Sequence, residues 1–175
     1  NPFIVLSCPW CGVQMGPIRD GNRTRVKGYR KLTGPNRIRL VCEDPDCEFN
    51  HGEGLPMLVI DEHIYQAPPT LLIGTVDKFA MMPWNPDCRS LFGVGSERNS
   101  PPDLIIQDEL HLISGPLGSM VGHYETVIDV LTERDTPQGR LAAKIIASTA
   151  TISRADDQVR RLYGGRESCL FPPQS

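Results

Sequence analysis

Two close cysteine pairs, Cys8-Pro9-Trp10-Cys11-Gly12 and Cys42-Glu43-Asp44-Pro45-Asp46-Cys47, constrain this chain more than any other feature. The first is a C-x2-C turn followed by glycine, which lets the backbone curl until both sulfurs face one point. The second is a C-x4-C within the ligand spacing of a closed tetrahedral zinc site. Cys88 and Cys169 stand alone, so the cysteines are not spaced as a disulfide framework would be. Four thiolates leave no open coordination position, so the expected Zn2+ is structural and stands in for a hydrophobic core. His51 is the competing ligand, and reduced free thiols are the plain alternative.

Between the pairs lies a cationic stretch. Arg19, Arg23, Arg25, Lys27, Arg30, Lys31, Arg37 and Arg39 face a single acid, Asp20, whereas the 175-residue chain as a whole carries a net charge of −3. A local basic loop on an acidic body suits a phosphate backbone, with Tyr29 as a possible stacking ring; the plain alternative is a solvated hairpin. Arg37 to Val41 alternates like a half-buried strand, after a turn at Gly34-Pro35-Asn36.

Beyond residue 55 the pattern changes. Four short apolar runs, Met57–Ile60, Leu71–Ile73, Leu104–Ile106 and Lys144–Ala147, are too short for helices and read as parallel strands of a sheet covered on both faces. Helical periodicity runs from Leu117 through Val121, Tyr124, Ile128 and Leu131 after a Gly115-Pro116 start. A second helix is expected from a Ser153 cap through Val159 and Leu162 to Gly164-Gly165. The fold class is therefore α/β with a mainly parallel sheet, divided into a zinc-ribbon-like insertion (1–55) and an α/β segment (56–175).

In such sheets ligands gather beyond the carboxyl ends of the strands. Those ends carry Asp61-Glu62-His63, Gly74-Thr75-Val76-Asp77-Lys78, Gln107-Asp108-Glu109-Leu110-His111 and Ser148-Thr149-Ala150-Thr151. A strand ending in Asp-Glu is how nucleotide hydrolases place one carboxylate on Mg2+ and the next beside the attacking water. Asp108 and Glu109 fit those two places, with His111 at the edge. Asp61-Glu62 looks similar alone, but only Asp108 is followed at a helix-and-strand interval by a Ser-Thr-Ala-Thr segment, so Asp61-Glu62 reads as a polar strand end. Phe79 and Trp84 read as packing residues, His123 as solvent-facing, and 85–102 as a mobile loop with Cys88 a plain thiol.

These segments resemble, in order, motifs Ib (Gly74 to Phe79), II (Asp108-Glu109-Leu110-His111) and III (Ser148 to Thr151) of the superfamily-2 DExH helicases. The longer strings Thr70 to Phe79 and Asp103 to Ser119, with the cysteine-rich insertion before them, resemble the helicase of the bacterial DISARM anti-phage system. The resemblance implies a RecA-like first motor domain of an ATP-driven DNA helicase or translocase. It implies Asp108 and Glu109 as the Mg2+ and water-activating carboxylates, and His111, with Ser148, Thr149, Ala150 and Thr151, as couplers of ATP to nucleic acid. Thr75 and Lys78 would touch the DNA backbone, joined by Arg23, Arg25, Lys27 and Arg30 from the basic loop. ATP, Mg2+, DNA and other subunits of a defence complex are the expected partners, in the cytoplasm.

Departures matter too. No G-x4-G-K-[ST] phosphate loop and no second motor domain occur within these 175 residues; the resemblance implies that they lie upstream and downstream, so the segment alone is expected to be inactive. Asn1-Pro2-Phe3 opens without a signal-peptide pattern and reads as an internal cut point, and Phe171-Pro172-Pro173 as a linker out of the motor domain. The competing reading is a zinc-ribbon binding module for nucleic acid or protein on a catalytically inactive scaffold.

Overall fold

A computed structural model of the chain describes residues 3–34, 37–80, 82–113, 115–137, 139–149, 155–164 and 166–171. The chain divides into two compact units, Asn1–Thr70 and Leu71–Ser175.

The first unit is built from two antiparallel hairpins. Strands β1 (Gly16–Asp20) and β2 (Arg23–Lys27) pair with Gly16 opposite Lys27 and Asp20 opposite Arg23. Only Gly21 and Asn22 connect them, and the positive φ of 60° at Gly21 is what a tight hairpin loop with glycine first requires. Strands β3 (Tyr29–Lys31) and β4 (Ile38–Leu40) pair with Tyr29 opposite Leu40 and Lys31 opposite Ile38. The buried centre of the unit is Cys8, Met15, Leu40, Cys42, Cys47 and Leu55, with Val5, Val13, Tyr29, Phe49 and Val59 packed against it. Half of those six buried residues are cysteines, too small an apolar volume to hold two short hairpins without further cross-linking.

Met57 to Ile60 forms no strand. Ile60 instead caps a short helix, α1 (Asp61–Gln66), whose first turn holds Asp61 and Glu62. Carboxylates there complement the positive end of the helix, so the pair expected at a polar strand end begins a helix instead.

The second unit opens with Leu71 to Ile73, which also pairs with no strand among the described residues; Ile73 is 87% exposed. Both expected strands fail for one reason: a short branched run becomes a strand only where another chain segment supplies a hydrogen-bond ladder. Helix α2 (Val76–Ala80) follows, then a turn of 3-10 helix from Pro86 to Phe92, capped by the Asn85 side chain accepting from the Asp87 N–H. Cys88 and Phe92 are buried there, so part of the stretch expected to be a mobile loop is 3-10 helix with two buried side chains. Trp84, expected to pack, is 78% exposed.

Strand β5 (Leu104–Gln107), helix α3 (Gly115–Thr132), a hairpin of β6 (Arg134–Thr136) with β7 (Gly139–Leu141), strand β8 (Lys144–Ala147) and helix α4 (Ala155–Leu162) complete the unit. Strands β5 and β8 run parallel with Ile105 opposite Ile145 and Gln107 opposite Ala147. On one face Ile145 packs with Val159 against Leu110, Ile113, Val121, Leu162 and Tyr163. The other face leaves Leu104, Ile106 and Ile146 exposed, so this sheet is covered on one side, not two. The protein is thus mixed α/β, with one parallel strand pair and a cysteine-centred module. Ser153, Gly165, Pro172 and Pro173 lie outside the described residues. Among the described residues no helix is long and apolar enough to cross a membrane.

Candidate functional site

The cysteine cluster is the most completely defined site. The first pair sits on a tight turn in which the Cys8 N–H donates to the Val13 carbonyl (2.8 Å) and the Gly12 N–H to the Cys8 carbonyl (2.9 Å). The second pair is shaped by Asp44, whose side chain accepts from the Asp46 N–H, and by Asn50, whose amide donates to the Cys42 carbonyl at 2.8 Å. All four sulfurs lie within 4.8 Å of one another, with Cys8–Cys47 at 4.0 Å and Cys11–Cys42 at 3.5 Å. A tetrahedron with metal–sulfur bonds of about 2.3 Å has edges of roughly 3.8 Å, so the donor set is of the size and chemistry that could hold zinc. Exposed His51 is not part of the cluster.

The thiols share the space unequally. Burial raises Cys8, but the Cys11 and Trp10 backbone N–H groups outweigh it and bring the thiol down to about 7. Burial pushes Cys42 up to about 12 and also raises Cys47.

The second constellation sits at the carboxyl end of the parallel pair. Beyond Gln107 the chain leaves β5, and the ladder continues through Ser148 N–H to the Gln107 carbonyl and Leu110 N–H to the Ser148 carbonyl, both at 2.9 Å. This brings Ser148 beside Asp108, whose Oδ1 accepts from the Ser148 hydroxyl and from the Glu109 N–H (2.9 Å). The Ser148 hydroxyl, the Glu109 N–H and the nearby His111 hold the Asp108 carboxyl below its usual range. Glu109 adopts the left-handed conformation, φ 55° and ψ 42°, and is the sole non-glycine residue to do so among the described residues. That geometry is costly for a side chain with a Cβ, and it turns the chain sharply into the 3-10 segment Leu110–Leu112. The Glu109 Oε2 lies 3.2 Å from Nδ1 of His111, close enough for attraction once the imidazole is protonated but without hydrogen-bond geometry.

Asp108, Glu109, His111 and Ser148 are therefore gathered in one place. Thr149 follows Ser148 directly and is half-buried, whereas Ala150 and Thr151 lie outside the described residues. Thr75 and Lys78 are exposed at the start of α2, where the Lys78 N–H donates to the Thr75 carbonyl. In the first unit, the register puts Arg23, Arg25 and Lys27 on one face of their hairpin, and Arg30 directly opposite Arg39 in the next. Arg39 pairs with Glu53 at 2.9 Å, while Arg23, Arg25, Lys27 and Arg30 form no ion pair among the described residues.

A polar network behind the acidic box has no counterpart in the sequence reading. The Tyr163 hydroxyl donates to Gln107 Oε1, tying the end of α4 to the residue before Asp108. Beside it Arg166 donates to both Asp129 oxygens and, at 2.7 Å, to the Ala143 carbonyl. Glu125 is buried next to this pair with Oε2 unpartnered; burial first, then the Asp129 charge, push its carboxyl up to about 7. Asp129 lies one turn along the same helix, but Arg166 and Tyr163 come from beyond α4, which no local pattern reports.

No protein-family model matches the chain. Its sequence is similar to that of the DISARM protein DrmA of Bacillus paralicheniformis, with 36% identity over 203 aligned positions. The alignment takes in 97% of this chain and 17% of that protein's length.

Proposed function

We propose that the chain is a piece of the first, RecA-like motor domain of an ATP-driven DNA helicase or translocase serving DISARM-type defence against phage. The observation that carries this reading is the acidic box. Asp108 and Glu109 follow directly on a parallel strand, Asp108 accepts a hydrogen bond from a serine just past the neighbouring strand, and Glu109 is held in a strained turn. Similarity to DrmA along almost the whole chain supports the defence context.

In this reading Asp108 would hold Mg2+, which would neutralise charge on the transferring phosphate. Glu109 accepts a proton from the attacking water, and His111 stands beside it to sense that change. Ser148 belongs to both the box and the following Thr149 segment, a direct path from the nucleotide toward nucleic acid. Thr75 and Lys78, together with Arg23, Arg25, Lys27 and Arg30, supply hydroxyl and cationic contacts to phosphate oxygens. The four cysteines hold Zn2+ as a structural ion.

The test is ATP turnover by the full-length parent with and without DNA, wild type against Glu109→Gln. Loss of DNA-stimulated turnover by about 10²-fold or more, with nucleotide binding retained, is expected of a missing proton acceptor. Undiminished turnover would remove Glu109 from the chemistry and leave a binding module on an inactive scaffold.

A further inference from the structure

The first unit contains a cleft of about 400 Å³ that the acidic box and the zinc cluster do not account for. Phe3, Tyr29, Ile38 and Ile60 line it, together with Lys31 and Arg37. The register explains the grouping: Tyr29, Lys31 and Ile38 share one face of the β3–β4 hairpin, while Arg30 and Arg39 share the other. The Tyr29 and Phe3 rings meet edge to face, centroids 5.0 Å apart at 86°. Tyr29 is fixed there, its hydroxyl accepting from the Val5 N–H (2.8 Å) and donating to the Val5 carbonyl (3.0 Å). Its polar end is thus spent internally, and the ring offers only its aromatic surface. Lys31 and Arg37 are exposed and form no ion pair among the described residues.

We propose that this cleft binds one nucleotide of single-stranded DNA, its base against the aromatic and branched walls and its flanking phosphates on Lys31 and Arg37. The proposal rests on the DNA-translocase reading above and gives it a contact site on a face different from that of Arg30. Three features select this occupant. An aromatic and aliphatic wall without a free polar group stacks any base, which suits a protein that must track along a sequence. Two unneutralised cations beside an apolar wall call for a ligand that is flat and greasy at one end and anionic at the other. The volume of about 400 Å³ falls in the range of small-ligand sites, roughly 300–1,000 Å³. A base paired in duplex DNA has both faces covered by its neighbours, so only an unpaired base can enter.

The experiment is photocrosslinking of the full-length parent to an oligothymidylate carrying one 5-iododeoxyuridine, with adducts mapped by mass spectrometry. It is paired with a salt titration of wild type and a Lys31→Ala/Arg37→Ala variant of verified zinc content. We expect adducts on Tyr29 or Phe3. Loss of two single-strand phosphate contacts should make the slope of log affinity against log salt shallower by about 1.4. Binding of the oligonucleotide with adducts only elsewhere and an unchanged slope would overturn the cleft while leaving DNA binding intact. Equal crosslinking to blunt duplex would overturn the single-strand assignment, and failure of the parent to bind any DNA would remove the translocase reading and this site with it. The wild-type adduct map decides even if the double variant misfolds.

Discussion

Glu125 is the residue whose environment most constrains its chemistry. Its carboxyl lies among Asp129, Arg166 and Tyr163, and burial raises it from 4.5 to about 7. With the folded value above the unfolded one, the folded state binds the extra proton. The stabilising contribution is therefore complete below 4.5 and is lost as pH rises through about 7. Glu125→Gln, which cannot ionise, should raise the unfolding free energy by about 1–2 kcal/mol at pH 8, after allowance for solvent screening, and change little at pH 4. Urea denaturation at the two pH values checks this. A wild-type stability flat between pH 4 and 8 would mean that Arg166 compensates the buried carboxylate in full. Asp108 is the opposite case, because its hydrogen bonds favour the charge and hold its carboxyl below the ordinary value.

At the scale of elements, the cysteine module and the parallel pair were the parts legible from sequence, for the same reason. Thiolate spacing and a branched run ending in Asp-Glu are local signals, and residues 8 to 47 and 104 to 111 carry them in full. Leu71 to Ile73 reads as a strand by the same local rule and is not one, because a ladder partner is a non-local fact. The β6–β7 hairpin was missed since its short strands, Arg134–Thr136 and Gly139–Leu141, have no apolar alternation to detect. The Tyr163–Gln107 bond spans 56 positions, beyond any periodicity argument. For the module itself, chelation of zinc should release hydrogen-exchange protection at Leu55 and Cys42, whose N–H groups bond to Leu40 and Phe49, while Leu110 and Ser148 keep theirs. Gly54→Ala tests the same module without touching the cysteines. A Cβ there would strike the Leu40 carbonyl oxygen at a φ of +71°, and a loss of about 1–3 kcal/mol in the module's stability is expected in chemical denaturation.

For the molecule as a whole, the apolar surface is as informative as the core. Leu104, Ile106 and Ile146 lie bare on one face of the parallel pair, and a strand pair of this kind is adhesive in water. Sedimentation velocity of the 175-residue chain should show concentration-dependent self-association, and Ile106→Thr with Ile146→Thr should reduce it. Self-association unchanged by both substitutions would place the sticky surface elsewhere, with exposed Leu71 and Ile73 next in order. The opposite, covered face has its own consequence. Gln107 is the final rung of β5, Asp108 is its neighbour in the chain, and Tyr163 grips that rung from the far end of α4. Helix and carboxylate are thus joined as a tiller is joined to its rudder: α4 cannot swing with this bond intact unless the strand end that aims Asp108 swings too.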